Sequence, residues 1–213
     1  SLKHLKGQAY ALRGLNYLNL VRQYQFTYAK DPNAKAIPIY TDPTTPTTVP
    51  KPLSTVKQVY DQIISDLKEA EKLLAGFKRK VKNRFDLNVV YGLLARTFLT
   101  QESWEQARDY AAKARLGYPI MTADQYKEGF NDVSNTEWIW GHPQTATQNL
   151  GGASFLAYIE TTPYATDAKG VNLYFGYNSI IPDPNFIGLF TEGDVRKSLF
   201  DIAKQPAEAI YRS

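Results

Sequence analysis

The residues best equipped to hold a ligand fall in one stretch of this chain. Phe155, Tyr158, Tyr164, Tyr174, Phe175 and Tyr177 supply rings there, with Asn172 and Asn178 interleaved. Rings cover flat apolar faces, and amide side chains both donate and accept hydrogen bonds. The run 171–178 concentrates this pattern. Tyr158, Tyr164, Asn172, Tyr174, Phe175, Tyr177 and Asn178 are therefore the candidate ligand-contacting residues. The same run also fits a hairpin packed on its neighbours, because part of any aromatic cluster commonly belongs to a core.

Bond-breaking chemistry finds no comparable support. The chain has no cysteine, which excludes disulfides, thiolate metal sites and cysteine nucleophiles within it. His4 and His142 are far apart and lack companions at metal-ligand spacing. Asp61, Asp66, Glu69 and Glu71 fall on or beside the solvent side of a helix, and nothing pairs them across a cleft as glycoside cleavage requires. Asp31, Asp42 and Asp183 each precede a proline, a turn signal. No G-x-S-x-G, H-E-x-x-H or phosphate-cradling loop is present. We expect no enzyme activity, no metal and no cofactor.

The formal charge of +4 arises from 25 basic and 21 acidic residues, too mild an excess for nucleic-acid binding. The one basic cluster, Lys78-Arg79-Lys80-Val81-Lys82-Asn83-Arg84, reads as a solvated loop between helices. No apolar window is long enough to span a membrane. Tyrosine is abundant, at 15 residues, and its amphipathic ring favours surfaces that contact something.

Helices must carry these residues. Leu5, Ala9, Leu12, Leu15, Leu18 and Val21 recur every three or four positions, which predicts a helix over 3–25. Leu20 and Tyr24 widen its stripe, so packing on more than one side is expected. Six prolines between Pro32 and Pro52 make 31–52 an extended connection, with Tyr28 and Tyr40 as anchors. Val56, Tyr60, Ile63, Leu67, Ala70 and Leu74 define an amphipathic helix over 55–75, capped by Ser54 or Thr55 and stopped at Gly76. Two more helices follow at 86–101 and 103–117, capped by Asp86 and Ser103. Beyond Met121 the helical period weakens. Glu137-Trp138-Ile139-Trp140 reads as a short strand or extended segment that buries at least one indole. Residues 141–182 read as long loops with short hairpins, and 183–200 as one or two short helices.

The last two long helices carry a tetratricopeptide pattern. Tyr91-x2-Leu94-Ala95-x2-Phe98 fits the first helix of a unit. Ala107 and Ala114 fit the small positions of the second helix, and Pro119 its breaker. Ala111 stands where an aromatic is usual, with Trp104 expected to fill the space. Tyr10-x3-Gly14-x2-Tyr17 resembles the first half of an earlier unit, completed by helix 55–75 after the proline-rich insertion. The expected fold is mainly α. Residues 1–121 form a tetratricopeptide-like region with an insertion at 26–54, and 122–213 an irregular region with short strands packed on the helices as one domain.

At this point the chain resembles a known family, the SusD/RagB outer-membrane nutrient-binding lipoproteins. Lys6-Gly7-Gln8-Ala9-Tyr10-Ala11-Leu12-Arg13-Gly14-Leu15-Asn16-Tyr17 through Val21 is similar to that family's "KGEALALRAYYYFNLV" helix. Leu53-Ser54-Thr55, then Val59-Tyr60, Ile63, Asp66-Leu67 and Ala70 resemble its "R-x-S-x-x-E-V-Y-x-x-I-x-x-D-L-x-x-A" helix. Leu93-Leu94-Ala95-Arg96-Thr97-Phe98-Leu99 with Trp104 and Ala107 resembles its "A-L-L-A-R-V-Y-L…W-x-x-A" hairpin. Asn135, Glu137 and Trp138-Ile139-Trp140 resemble its "N-x-E-x-I-W/F" strand, and Asp194-Val195-Arg196 its "D-x-R" element. Family members are usually much longer, and their lipidated cysteine, first helices and last helical repeats have no counterpart here.

The resemblance implies a cell-surface protein lipid-anchored to the outer membrane outside this chain. It would capture a glycan or related nutrient and pass it to a SusC-like TonB-dependent transporter. The helical repeats would face the transporter and the irregular loops the ligand. The repeat alone supports an alternative, a tetratricopeptide protein–protein scaffold without a small-molecule ligand.

Overall fold

The computed structural model describes residues 1–130, 132–143, 148, 163–166, 168, 172–174 and 183–200. The chain divides into two compact units, Ser1–Ile120 with Asp132–His142, and Met121–Asn131 with Pro143–Ser213. The architecture is mainly helical.

Four helices build the first unit: α1 Leu2–Tyr24, α2 Val56–Leu73, α3 Leu87–Thr100 and α4 Trp104–Ala114. Helices α1 and α2 pack antiparallel, with Gly7 against Leu73 and Leu74 and Gly14 against Leu67. A Cβ at Gly7 would meet Leu74 Cγ at 2.8 Å, and one at Gly14 would meet Leu67 at 3.1 Å. The glycines therefore set how closely the helices approach. This corrects the expected face of α1. Gly7, Ala11, Gly14, Tyr17, Leu18 and Val21 are buried, whereas Leu5 is 59% and Leu12 48% exposed. Leu18 and Val21 are buried as expected, Leu5 and Leu12 lie on the opposite side of the helix, and small residues mark the closest approach. Leu20 and Tyr24 are exposed as well.

A buried ion pair locks the same interface. Asp66, on the inner side of α2 and 1% exposed, accepts from Arg13 Nε at 2.8 Å and Nη2 at 2.6 Å. Gln62 Nε2 donates to it at 2.8 Å. Asp66 is thus not on the solvent side, and its carboxylate is saturated by neighbours. Arg13 Nη1 also donates to the Thr41 carbonyl at 2.8 Å. The Tyr17 hydroxyl donates to the Tyr40 carbonyl at 2.8 Å and accepts from the Tyr40 amide at 2.7 Å. These bonds hold the proline-rich connection on α1. Its ends are drawn together where Ala36 N donates to Ser54 O at 2.8 Å and Ser54 N to Ile37 O at 3.0 Å. Residues 41–53 between them are exposed. Tyr28 meets Tyr60 edge-on, with ring centroids 5.2 Å apart.

Thr55 starts α2 with a reciprocal capping box to Gln58, and Gly76 stops the chain beyond it at φ +76°. Asp86 caps α3 by accepting from Val89 N, but Ser103 makes no side-chain bond to α4. Glu102 sits in the tight turn between α3 and α4 at φ +60°. Asn88 Nδ2 donates to Ala114 O at 2.9 Å and Leu116 O at 3.0 Å, which sets the two helices antiparallel. Ala107 and Ala114 are buried as the repeat pattern requires. The aromatic position is corrected. Tyr110, not Trp104, fills the gap left by Ala111, stacking on Phe98 at 5.6 Å and lying 6.0 Å from Tyr91. Trp104 is 61% exposed.

In the second unit, α5 Ala123–Lys127 opens with a capping box between Thr122 and Gln125. A two-stranded antiparallel ribbon follows, β1 Pro163–Thr166 and β2 Asn172–Tyr174. Then come α6 Pro184–Gly188, capped by Asp183, and a 3-10 helix Val195–Leu199, capped by Asp194. Phe186, Phe190 and Phe200 form a ring cluster with centroids 5.3 to 6.1 Å apart. Arg196 lies over Phe190 and pairs with Asp194 at 2.6 Å.

Two glycines are predicted to respond oppositely to alanine. Gly92 has only Ala114 Cβ near its missing side chain, at 4.0 Å. Gly92→Ala should stabilise by up to ~1 kcal/mol through helix propensity. Gly7→Ala should destabilise despite that gain, because overpacking costs about 1–3 kcal/mol. Urea unfolding midpoints check both. The Asp194 carboxyl is drawn down to about 2 by the Arg196 side-chain hydrogen bond, then by the Arg196 backbone N–H. Its folded value lies below the unfolded one. The favourable contribution is therefore complete above the ordinary aspartate range and fades as pH falls through about 2. A carboxyl NMR titration should show that midpoint in the native chain, and Arg196→Gln should raise it.

Candidate functional site

The ribbon holds three of the candidate ligand residues. Tyr164 lies in β1, and Asn172 and Tyr174 in β2. The register pairs Pro163 with Tyr174, Ala165 with Leu173 and Thr166 with Asn172, with an irregularity between Pro163 and Ala165. Tyr158, Phe175, Tyr177 and Asn178 lie outside the described residues, as does Phe155. The short hairpin expected within 141–182 is present.

A second aromatic surface was not foreseen as such. The expected strand at 137–140 is absent; residues 133–134 and 136–137 form turns and Trp138-Ile139-Trp140 is irregular. The reason lies in backbone bonding. Trp138 N donates to Asn135 O at 3.2 Å, and Gly141 N to Lys82 O at 3.3 Å. The segment folds on itself and against the 77–85 loop instead of pairing as a strand. Neither indole is fully buried. Trp138 is half-buried, packed against Gly141, where a Cβ would meet its ring at 3.0 Å. Trp140 is 41% exposed and stacks on the buried ring of Phe85, with centroids 5.4 Å apart and planes 25° apart.

The pedestal beneath Trp140 is the basic cluster, whose expected solvated character is corrected. Arg79 is buried, with its side chain 6% exposed. Its Nε donates to Asp86 Oδ2 at 2.7 Å. Nη1 donates to Lys82 O at 3.2 Å and Arg84 O at 2.9 Å. Nη2 donates to the Tyr118 hydroxyl at 2.6 Å and to the Ile139 carbonyl. All five N–H groups of the fork are used. Lys82 Nζ donates to Asn135 O at 2.5 Å and Ser134 O at 3.3 Å. Burial, then the Arg79 charge, lowers the affinity of Lys82 for its proton. Only Lys78, Lys80 and Arg84 of the five basic side chains are exposed. The spacing of a basic run carries no sign of which member turns inward. The nearby Asp86, the residue immediately before an apolar helix, was the available signal.

A third cluster lies between α2, α3 and α4. Lys68 pairs with Glu71 at 3.1 Å and donates to the Tyr110 hydroxyl. Lys113 lies 4.9 Å from the Tyr110 ring centroid and 5.7 Å from that of Tyr91. Burial, then the Glu71 charge, makes the Tyr91 hydroxyl harder to ionise. Among the described residues, no three His, Asp or Glu side chains group to hold a metal. His4 lies against Phe77, with ring centroids 4.9 Å apart. Both buried carboxylates, Asp66 and Asp86, are each neutralised by an arginine. What this arrangement offers chemically is aromatic faces beside hydrogen-bonding groups.

Arg79→Ala should cost about 3–5 kcal/mol, because it strands the Asp86 carboxylate. Arg79→Lys should recover only part of this, since a point charge cannot reproduce a five-bond fork. Denaturation midpoints measure the loss, and a red-shifted tryptophan emission in Arg79→Ala would report the freed indoles.

The family model described as starch-binding, associating with outer membrane, matches residues 1–99. No curated protein matches the chain. A SusD-like carbohydrate-binding protein from Bacteroides vulgatus is 41% identical, covering 92% of this chain and 40% of that one, with a TM-score of 0.74. A SusD superfamily protein from Bacteroides thetaiotaomicron is 26% identical, covering 76% of this chain and 37% of that one, with a TM-score of 0.65. The chain thus spans about 40% of the length of these relatives. No described helix is long and apolar enough to cross a membrane. With its helical architecture and these matches, the chain belongs to the SusD-like family.

Proposed function

We propose that this chain is the glycan-capturing part of a cell-surface receptor. It holds a polysaccharide or related nutrient and delivers it to a SusC-like TonB-dependent outer-membrane transporter. The full-length protein is held at the outer membrane by a lipid anchor outside this chain. The reading is carried by the likeness to the Bacteroides vulgatus carbohydrate-binding protein over almost the whole chain. Tyr164, Asn172 and Tyr174 on the ribbon supply the ligand contacts, together with Tyr158, Phe175, Tyr177 and Asn178. Pyranose rings offer flat C–H faces to the tyrosines and a rim of hydroxyls to the amides.

The role is binding without turnover. The arginine pairing of Asp66 and Asp86 supports this, because a carboxylate already ion-paired and hydrogen-bonded is poorly placed to donate a proton.

Affinity electrophoresis of the full chain through gels containing starch, β-glucan, mannan or xylan tests the proposal. Retardation by at least one polysaccharide is expected, weakened at least about fivefold by Tyr174→Ala. No reducing sugar should be released on incubation. Unchanged mobility in every gel would contradict the binding role, and reproducible sugar release abolished by one carboxylate substitution would contradict its non-catalytic character.

A further inference from the structure

The geometry points to a second sugar contact at Trp140, separate in sequence from the ribbon residues and held ready by Arg79 and Lys82. The inference rests on the carbohydrate-binding reading above, and it goes beyond that reading in assigning a site.

Two cations are partly or wholly withdrawn from water to hold residues 132–142: Arg79, with its side chain 6% exposed, and half-buried Lys82. Desolvating a charge is costly and is recovered only through good hydrogen bonds. Both cations spend bonds on this segment, Arg79 on the Ile139 carbonyl and Lys82 on Ser134 and Asn135. In return the segment packs Ile139 against the helical core but leaves its largest exposed ring, Trp140, facing solvent. Val133, Trp138 and Ile139 are half-buried and Trp140 is exposed. Core packing of Ile139 accounts for one part of this mount; the other part presents the Trp140 ring, backed by Phe85, to solvent.

The mount also fixes the ring plane. Phe85 stacks beneath the indole, the carbonyl of the preceding residue is bonded to Arg79, and the amide of the following residue is bonded to Lys82 O. A ligand meeting Trp140 therefore finds its orientation already set, and pre-organised groups lose less entropy on binding. An indole backed on one face and exposed at 41% suits a flat, weakly polar partner. The C–H face of a pyranose ring has that shape. Trp104 provides the contrast. It is more exposed, at 61%, and among the described residues no ring stacks beneath it.

The test uses the full chain and the polysaccharide that retards it most, chosen from starch, β-glucan, mannan and xylan. Trp140→Ala should weaken binding at least about tenfold, Trp140→Phe should stay within about threefold, and Trp104→Ala should leave binding unchanged. In the wild-type chain, saturating polysaccharide should shift the Trp140 indole N–H resonance and leave that of Trp104 in place. This second measurement needs no variant to fold. Retardation of the wild type with an unshifted Trp140 resonance and undiminished binding by Trp140→Ala would overturn the site while leaving the binding function intact. Failure of the wild type to bind any of the four would overturn both.

Discussion

The frame depends on how closely α1 approaches α2. Two glycines make the approach possible, and a buried carboxylate makes it specific. Gly7 and Gly14 leave room for Leu73, Leu74 and Leu67, so apolar side chains of α2 lie directly on the α1 backbone. Asp66 then demands a partner at that depth. Losing Arg13 would strand a desolvated charge, a cost of about 3–5 kcal/mol. Arg13 and Tyr17 extend the same contact to the proline-rich connection through Thr41 and Tyr40. One interface therefore sets two helices and the connection between them.

A second arginine repeats the device at the other end of α2. Arg79 joins the α2–α3 loop to the cap of α3, to Tyr118 beyond α4 and to Ile139. Both arginines serve as multi-bond connectors between segments distant in sequence. Their planar forks suit this, because several carbonyls and a carboxylate can be met at once. The helical frame thus governs irregular chain through cations, where apolar contact alone is too thin to fix it.

Much of the frame was legible in sequence, for identifiable reasons. Helix α2 has a single apolar face, a threonine cap and a glycine stop, and each signal agrees with the others. Helices α3 and α4 were legible through Ala107 and Ala114, whose small size is itself the packing signal. On α1, Leu18 and Val21 are buried as their spacing indicates, but Leu5 and Leu12 are not; Gly7, Ala11 and Gly14 mark the rest of the buried face. Tyr110 was overlooked in favour of Trp104 because a one-residue rotation of a helix is invisible to a consensus spacing. Trp138-Ile139-Trp140 looked like a strand by alternation, but alternation cannot report that Arg79 and Lys82 have claimed the backbone. Of the candidate ligand residues, the hairpin around Tyr164, Asn172 and Tyr174 followed from turn composition. Inward-turning members of a basic run leave no such trace.

The functional account joins these points. A SusD-like chain offers rings on a ribbon and on a clamped loop, and the helices hold the clamped loop in place before any ligand arrives. That claim of prior order is open to amide hydrogen exchange on the free protein. The account predicts that the amides of Trp138 and Gly141, bonded to Asn135 O and Lys82 O, exchange far more slowly than an unstructured peptide with no sugar present. Exchange at the unstructured rate would show that the loop is not held by the frame and would contradict the account.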